Sequence, residues 1–106
     1  MKRIITAAAL IGGMTLGANS HAWECPQHIA AAEKALAAAA QALETAQGSP
    51  NSALAHTLRD DAEMLLHSAK HNHENPAAGA FDHARSMAKA KSAKAFAETA
   101  EELANR

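Results

Sequence analysis

Apolar residues recur every three or four positions along most of the chain, which is the spacing of one face of an α-helix. Pro26 suits the first helical position, with Cys25 as the helix cap, and the segment 48–51 (Gly-Ser-Pro-Asn) would break the helix. We therefore predict a first helix from Pro26 to about Ala46. Its apolar stripe consists of Ile29, Ala32, Leu36, Ala39 and Leu43.

Two further helices are predicted after this break. The second begins near Ser52 and fades at His73, shortly before Pro76 stops it. Its apolar stripe consists of Leu54, Leu58, Ala62, Leu65 and Ala69. The third runs from about Ala77 nearly to Arg106. Its predicted buried side carries Phe81, Ala84, Ala88, Ala95, Thr99 and Leu103.

The composition and the short connections predict an all-α fold, an antiparallel up-down three-helix bundle. Alanine, the best helix former, dominates the chain, and β-branched residues are rare. Short loops make neighbouring helices antiparallel. A break in the last helix near Ser92 would give four helices instead. The many small residues predict closely approaching helices and a thin core.

The first residues have the layout of a secretory signal peptide. Lys2 and Arg3 precede an apolar run over 4–16, and the small-residue tripeptide 20–22 (Ser-His-Ala) follows. We predict cleavage after Ala22, which leaves a single helical-bundle domain over 23–106. The apolar run is too short and too interrupted by polar and glycine residues for a membrane span. The predicted location is the periplasm.

Charge and motifs argue against two classes of function. Loss of Lys2 and Arg3 leaves eight basic residues against eleven acidic ones, a net charge of about −3. The one cationic run, which lies over 89–94, is too sparse to neutralise a phosphate backbone, so we expect no nucleic acid partner. The sequence contains no serine nucleophile motif and no Gly-rich phosphate loop. We predict that the protein is not an enzyme.

Histidines in the second predicted helix indicate a metal site. His67 and His71 are one helical turn apart, so both imidazoles lie on one face and can close on one divalent ion. Counting 100° per residue places His56 and Asp60 on the same face, opposite the leucines. The alternative is a solvated polar face, although Lys, Glu and Gln suit such a surface better than histidine does.

Further candidate ligands lie around the second predicted turn. His73 is at the frayed end of the second helix, and His83 is at the start of the third. Imidazole and carboxylate ligands together suit Cu(II), Zn(II) or Ni(II), with copper favoured by its intrinsic affinity. The complete predicted set of metal ligands is His56, Asp60, His67, His71, His73 and His83.

The single cysteine is the other candidate for chemistry. Cys25 precedes Pro26 at a helix start, where the positive end of the helix dipole makes a thiol more reactive. A lone cysteine cannot form an intrachain disulfide, so we predict that it can join two chains in a homodimer. The thiol is also a candidate soft metal ligand together with His28. The simpler interpretation is a helix cap with a surface thiol.

Two histidine-containing phrases lie in the second and third predicted helices. They are 66–71 (Leu-His-Ser-Ala-Lys-His) and 81–90 (Phe-Asp-His-Ala-Arg-Ser-Met-Ala-Lys-Ala). At these phrases the chain resembles the small metal-binding protein family, which consists of periplasmic helical bundles. Members of that family contain His-Ala-Lys repeats and histidines one turn apart, and they bind divalent metals, copper above all. The resemblance covers roughly residues 54–95 and carries over to His67, His71 and His83.

This resemblance implies a periplasmic protein that binds a divalent metal for buffering, storage or delivery. Copper is the favoured ion, and zinc and nickel are the alternatives. The rival hypothesis is a non-catalytic structural or protein-interaction module of the cell envelope, whose helices pack on a partner or on a second copy of the chain.

Overall fold

The computed structural model describes residues 24–106 and forms three α-helices there. Helix α1 spans Cys25–Thr45, α2 spans Ser52–Glu74 and α3 spans Ala80–Ala104. No strand occurs in this part of the chain, which confirms the all-α class. Within the same residues, no helix combines the length and the apolar character needed to cross a membrane. The predicted signal peptide, residues 1–22, lies outside the described residues.

The core consists of three layers stacked along the bundle. The first layer joins the start of α1, the end of α2 and the first half of α3, through Ile29, Ala32, Leu66, Ala69, Ala90 and Ala93. The middle layer contains Ala39, Ala62, Ala97 and Ala100. The last joins the end of α1, the start of α2 and the end of α3, through Leu43, Ala55 and Ala104. Helices α1 and α3 therefore run in one direction and α2 runs antiparallel to both, as predicted.

Alanine makes up most of this core. Among the described residues, fourteen apolar residues are buried, and ten of them are alanine. Only Ile29, Leu43 and Leu66 bury large aliphatic side chains. Small side chains let the helices approach closely, but each one removes little apolar surface from water. The predicted thin core is confirmed, and it supplies little hydrophobic free energy to hold three helices together.

The buried face of α2 agrees with the predicted one except at Leu54, and the buried face of α3 differs from it. Leu54 is 59% exposed, whereas the other four predicted residues of α2 are buried or pack against the core: Leu58, Ala62, Leu65 and Ala69. The buried residues of α2 are Ala55, Ala62, Leu66 and Ala69. In α3, Phe81 is 72% exposed. The buried residues of α3 are Asp82, Ser86, Ala90, Ala93, Ala97, Ala100 and Ala104. The predicted stripe of α3 was wrong because it was aligned on Phe81, whereas the buried stripe begins one residue later, at Asp82.

The helix ends also differ in detail from the predicted ones. Helix α1 begins at Cys25 with Glu24 at the N-cap position, so Cys25 is not the cap. Helix α3 begins at Ala80 rather than Ala77, because Gly79, with φ 59°, turns the chain immediately before it. The helix continues through Ser92 without a break, which excludes the four-helix alternative within the described residues.

Candidate metal centre

Cys25, His73 and His83 lie together at one end of the bundle. Cys25 is the first residue of α1, His73 is the last but one of α2, and His83 is the fourth of α3. These three helix ends meet because α2 runs antiparallel to its neighbours. The Cys25 sulfur and one ring nitrogen of each histidine all lie within 4.8 Å of one another. The fold thus assembles three potential metal ligands that are distant in the sequence.

The thiol of Cys25 is buried, with the residue only 1% exposed, so the interpretation as a surface thiol is wrong. Cys25 precedes Ile29 by four residues and Ala32 by seven, which places it on the buried stripe of α1. Its Sγ donates a long hydrogen bond of 3.4 Å to the carbonyl oxygen of His83. The homodimer through Cys25 stays a prediction, and the burial of the thiol makes it depend on local opening of the helix end.

The two histidines of the cluster face each other between α2 and α3. Their ring centroids are 6.1 Å apart, and the rings meet edge to face at 64°. Nδ1 of His73 is inaccessible to solvent and has no hydrogen-bond partner among the described residues. A buried polar atom left unpaired costs about 1–3 kcal/mol. Coordination of a metal ion through this nitrogen would remove that cost.

A connected set of polar side chains ties α2 to α3 beside the two histidines. This polar seam consists of Ser68, Asn72, Asp82 and Lys89. Lys89 Nζ donates hydrogen bonds of 2.7 Å to Ser68 Oγ and to Asn72 Oδ1, and Asn72 Nδ2 donates one of 3.2 Å to Asp82 Oδ1. Asn72 directly precedes His73, and Asp82 directly precedes His83. The polar seam therefore sets the separation of the two turns that carry the imidazoles.

Asp82 also anchors the connection between the two helices. The carboxylate is in the first turn of α3 and accepts hydrogen bonds from Ala78 N–H at 2.6 Å and from Arg85 Nη1 at 3.0 Å. The hydrogen bond from Ala78 lowers the pKa of the Asp82 carboxyl below its ordinary value, Arg85 and Asn72 lower it further, and burial opposes them. A negative charge in the first turn also interacts favourably with the helix dipole.

The other predicted ligands lie elsewhere. His56, Asp60, His67 and His71 are all exposed on α2. Asp60 Oδ1 accepts a hydrogen bond of 2.8 Å from Arg59 Nη1. None of these four residues belongs to the cluster of potential ligands found in residues 24–106. His67 and His71 keep their one-turn spacing on an unbroken helix, so a site at this exposed pair stays a separate prediction.

His28 lies outside the cluster as well. Its Nε2 is 3.8 Å from Glu24 Oε1, which places it beside a carboxylate of its own helix end. The histidine neighbours of the Cys25 thiol come instead from α2 and α3. Local spacing in the sequence cannot reveal this grouping. The signal that reveals it is the up-down-up topology, in which the start of α1, the end of α2 and the start of α3 share one end.

No protein-family model, curated protein or solved structure matches this chain. The resemblance to the small metal-binding protein family stays a prediction. The cluster of Cys25, His73 and His83 is therefore the feature of this chain that bears on its function.

Proposed function

We propose that this protein is a periplasmic metal-binding protein that buffers, stores or delivers a divalent ion. The observation that supports the proposal is the cluster of Cys25, His73 and His83, whose ligand atoms lie within 4.8 Å of one another. Thiolate and neutral imidazole both bind late first-row metals. Among the divalent ions copper has the highest general affinity, and zinc and nickel are the alternatives.

An ion bound at this cluster would connect all three helices at one end. The ligands gather only in the folded chain, so the free energy of binding adds to the free energy of unfolding. Free metal at a hundredfold excess over the dissociation constant adds about 2.7 kcal/mol. That gain is large compared with the free energy of unfolding of a typical domain, about 5–15 kcal/mol. It matters particularly here because the core is mostly alanine and supplies little hydrophobic free energy. Metal binding and stability are therefore coupled in the proposal.

Calorimetric titration with Cu(II), Zn(II) and Ni(II) tests the function. We expect binding at micromolar or tighter dissociation constants for at least one of these ions. Cys25→Ser, His73→Ala and His83→Ala should each weaken that binding at least about tenfold, because each removes one ligand. The control is the double variant His67→Ala/His71→Ala, which removes the exposed pair of α2 and should leave the affinity of the Cys25, His73 and His83 cluster unchanged.

Two results would revise or contradict this proposal. Loss of binding in the double variant only, with the cluster variants unchanged, would move the site to the exposed pair on α2. Failure to bind copper, zinc or nickel more tightly than about 100 μM would contradict a metal-binding function altogether. The predicted location is tested separately by mass spectrometry of the periplasmic fraction. The mature chain should be found there, with Trp23 as its first residue.

One observation favours a second candidate function, a non-catalytic structural or protein-interaction module of the cell envelope. Met64 and Phe81 are 71% and 72% exposed, and Met64 lines a groove together with Leu65 and Phe96. Contiguous apolar surface of this kind marks protein interaction sites. Sedimentation of the metal-free protein over a range of concentrations tests this candidate. Self-association that Met64→Gln or Phe81→Gln abolishes would support it, and a monomer at all concentrations would count against self-assembly.

A further inference from the structure

The donor atoms of the cluster point to a particular ion and a particular coordination. This inference rests on the proposed metal-binding function. We propose that Cys25, His73 and His83 hold Zn(II) in a four-coordinate site whose fourth position is open to an external ligand.

The first argument is the chemistry of the donors. The cluster offers one sulfur and two imidazole nitrogens, and no carboxylate within residues 24–106 belongs to it. Four-coordinate Zn(II) accepts thiolate and imidazole together, whereas Cu(II) and Ni(II) in tetragonal sites prefer nitrogen and oxygen donors in a plane. The sulfur donor of this cluster does not suit such tetragonal sites. Cu(II) accepts one thiolate and two imidazoles in trigonal sites, but these carry a long bond to an additional weak axial ligand such as methionine. Zn(II) needs no further protein ligand, and we therefore assign the cluster to Zn(II), even though Cu(II) leads the general affinity order.

The second argument is distance. A tetrahedral Zn(II) ion has bonds of about 2.3 Å to sulfur and about 2.0–2.1 Å to nitrogen, which separates its donors by about 3.3–3.6 Å. The three ligand atoms of the cluster already lie within 4.8 Å of one another. A contraction of at most about 1.2–1.5 Å brings them to zinc distances. All three residues are in terminal turns of their helices, where small adjustments of side chain and helix end can provide it.

The third argument concerns the fourth position. Cys25 is buried and closes the inner side of the cluster, whereas His73 and His83 are half-buried and border solvent. Zinc sites with four protein ligands are closed and structural, and sites with three keep an exchangeable position for water or another ligand. A thiol, imidazole or carboxylate of an acceptor can therefore bind the ion before this protein releases it. Such an open position suits buffering or delivery of the ion.

Cobalt(II) is the probe for this proposal, because it replaces Zn(II) and reports its ligands in the absorption spectrum. We expect intense visible bands of four-coordinate Co(II) and a near-ultraviolet charge-transfer band from thiolate sulfur. Cys25→Ser should lose the charge-transfer band, while His67→Ala/His71→Ala should keep the whole spectrum. Added thiocyanate should shift the visible bands of the unmodified protein, because it enters the open position. Zn(II) should then displace the cobalt and abolish the spectrum.

The spectrum of the unmodified protein decides the proposal even if Cys25→Ser fails to fold. Metal binding without a sulfur band, or with the weak spectrum of six-coordinate Co(II), would overturn the assigned ligands and leave the metal-binding function standing. Visible bands that thiocyanate does not change would overturn the open position. Absence of binding for every ion tested would overturn both this inference and the proposed function.

Discussion

The carboxylate of Asp82 connects α2, the following turn and α3 through hydrogen bonds. It accepts these bonds from Ala78 N–H, Asn72 and Arg85, on both sides of the turn. We expect Asp82→Asn to lower the melting temperature of the metal-free protein, because an amide accepts these bonds less strongly than a carboxylate. Thermal unfolding followed by circular dichroism at neutral pH measures this. Asp60→Asn, at an exposed carboxylate of α2, is the control and should have little effect.

The same carboxylate predicts a pH dependence of stability. The pKa of Asp82 is lowered in the folded protein, so the unfolded chain binds more protons near the ordinary aspartate pKa of about 3.9. The stabilisation by the charged carboxylate is therefore complete at neutral pH and is lost as the pH falls from about 4 towards the lowered value. We expect the difference in stability between the unmodified protein and Asp82→Asn to shrink over that range. A difference that stays constant down to about pH 2 would contradict the role of the charge.

The environment of Cys25 predicts a protected thiol. With 1% of the residue exposed, alkylation requires local opening of the start of α1. We expect an alkylating reagent to modify the native protein at least about tenfold more slowly than the protein unfolded in urea. Bound zinc should slow the native reaction further. Equal rates in the native and unfolded states would show that the thiol is not buried.

At the scale of the elements, the small-residue face of α3 determines how closely the helices approach. Ala97 is fully buried in the middle layer of the core. We expect Ala97→Leu to lower the free energy of unfolding by about 1–3 kcal/mol, because the packed helices leave no room for three extra carbons. Ala95→Leu, at an exposed position of the same helix, should change it by less than about 0.5 kcal/mol. Urea unfolding of the two variants measures both values, and equal effects would contradict the observed packing face.

The number and approximate bounds of the helices could be predicted, because apolar periodicity and the Gly-Ser-Pro-Asn break are local signals. The buried face of α2 could be predicted except at Leu54, whereas the buried face of α3 was predicted in the wrong register. Leu54 and Phe81 are exposed because a core of closely packed helices has room mainly for alanine. Alanine occurs on the exposed side of α3 as well, at Ala88 and Ala95, so residue size alone does not identify the packing face of this helix.

The candidate site could be predicted only in part, because its grouping depends on how the three helices are arranged. His73 and His83 were expected as candidate ligands because they flank one short turn. Their grouping with Cys25 depends on the direction of α1 relative to the other two helices, which sequence spacing does not contain. His67 and His71 have the more obvious spacing, yet the bundle leaves both exposed.

At the scale of the whole molecule, the bundle combines a thin core with potential metal ligands from all three helices at one end. The polar seam joins only α2 and α3, through hydrogen bonds among Ser68, Asn72, Asp82 and Lys89. An ion at the cluster would add α1 to this connection through Cys25. The proposed metal would therefore act on the fold as a crosslink between all three helices.

X-ray absorption at the zinc edge of the zinc-loaded protein tests this proposal most directly, because it reports the atoms bound to the metal. We predict one sulfur at about 2.3 Å and two imidazole nitrogens at about 2.0–2.1 Å, with one further light atom in the open position. The sulfur signal should vanish in Cys25→Ser. A first coordination shell of nitrogen and oxygen only in the unmodified protein would contradict a metal centre formed by Cys25, His73 and His83.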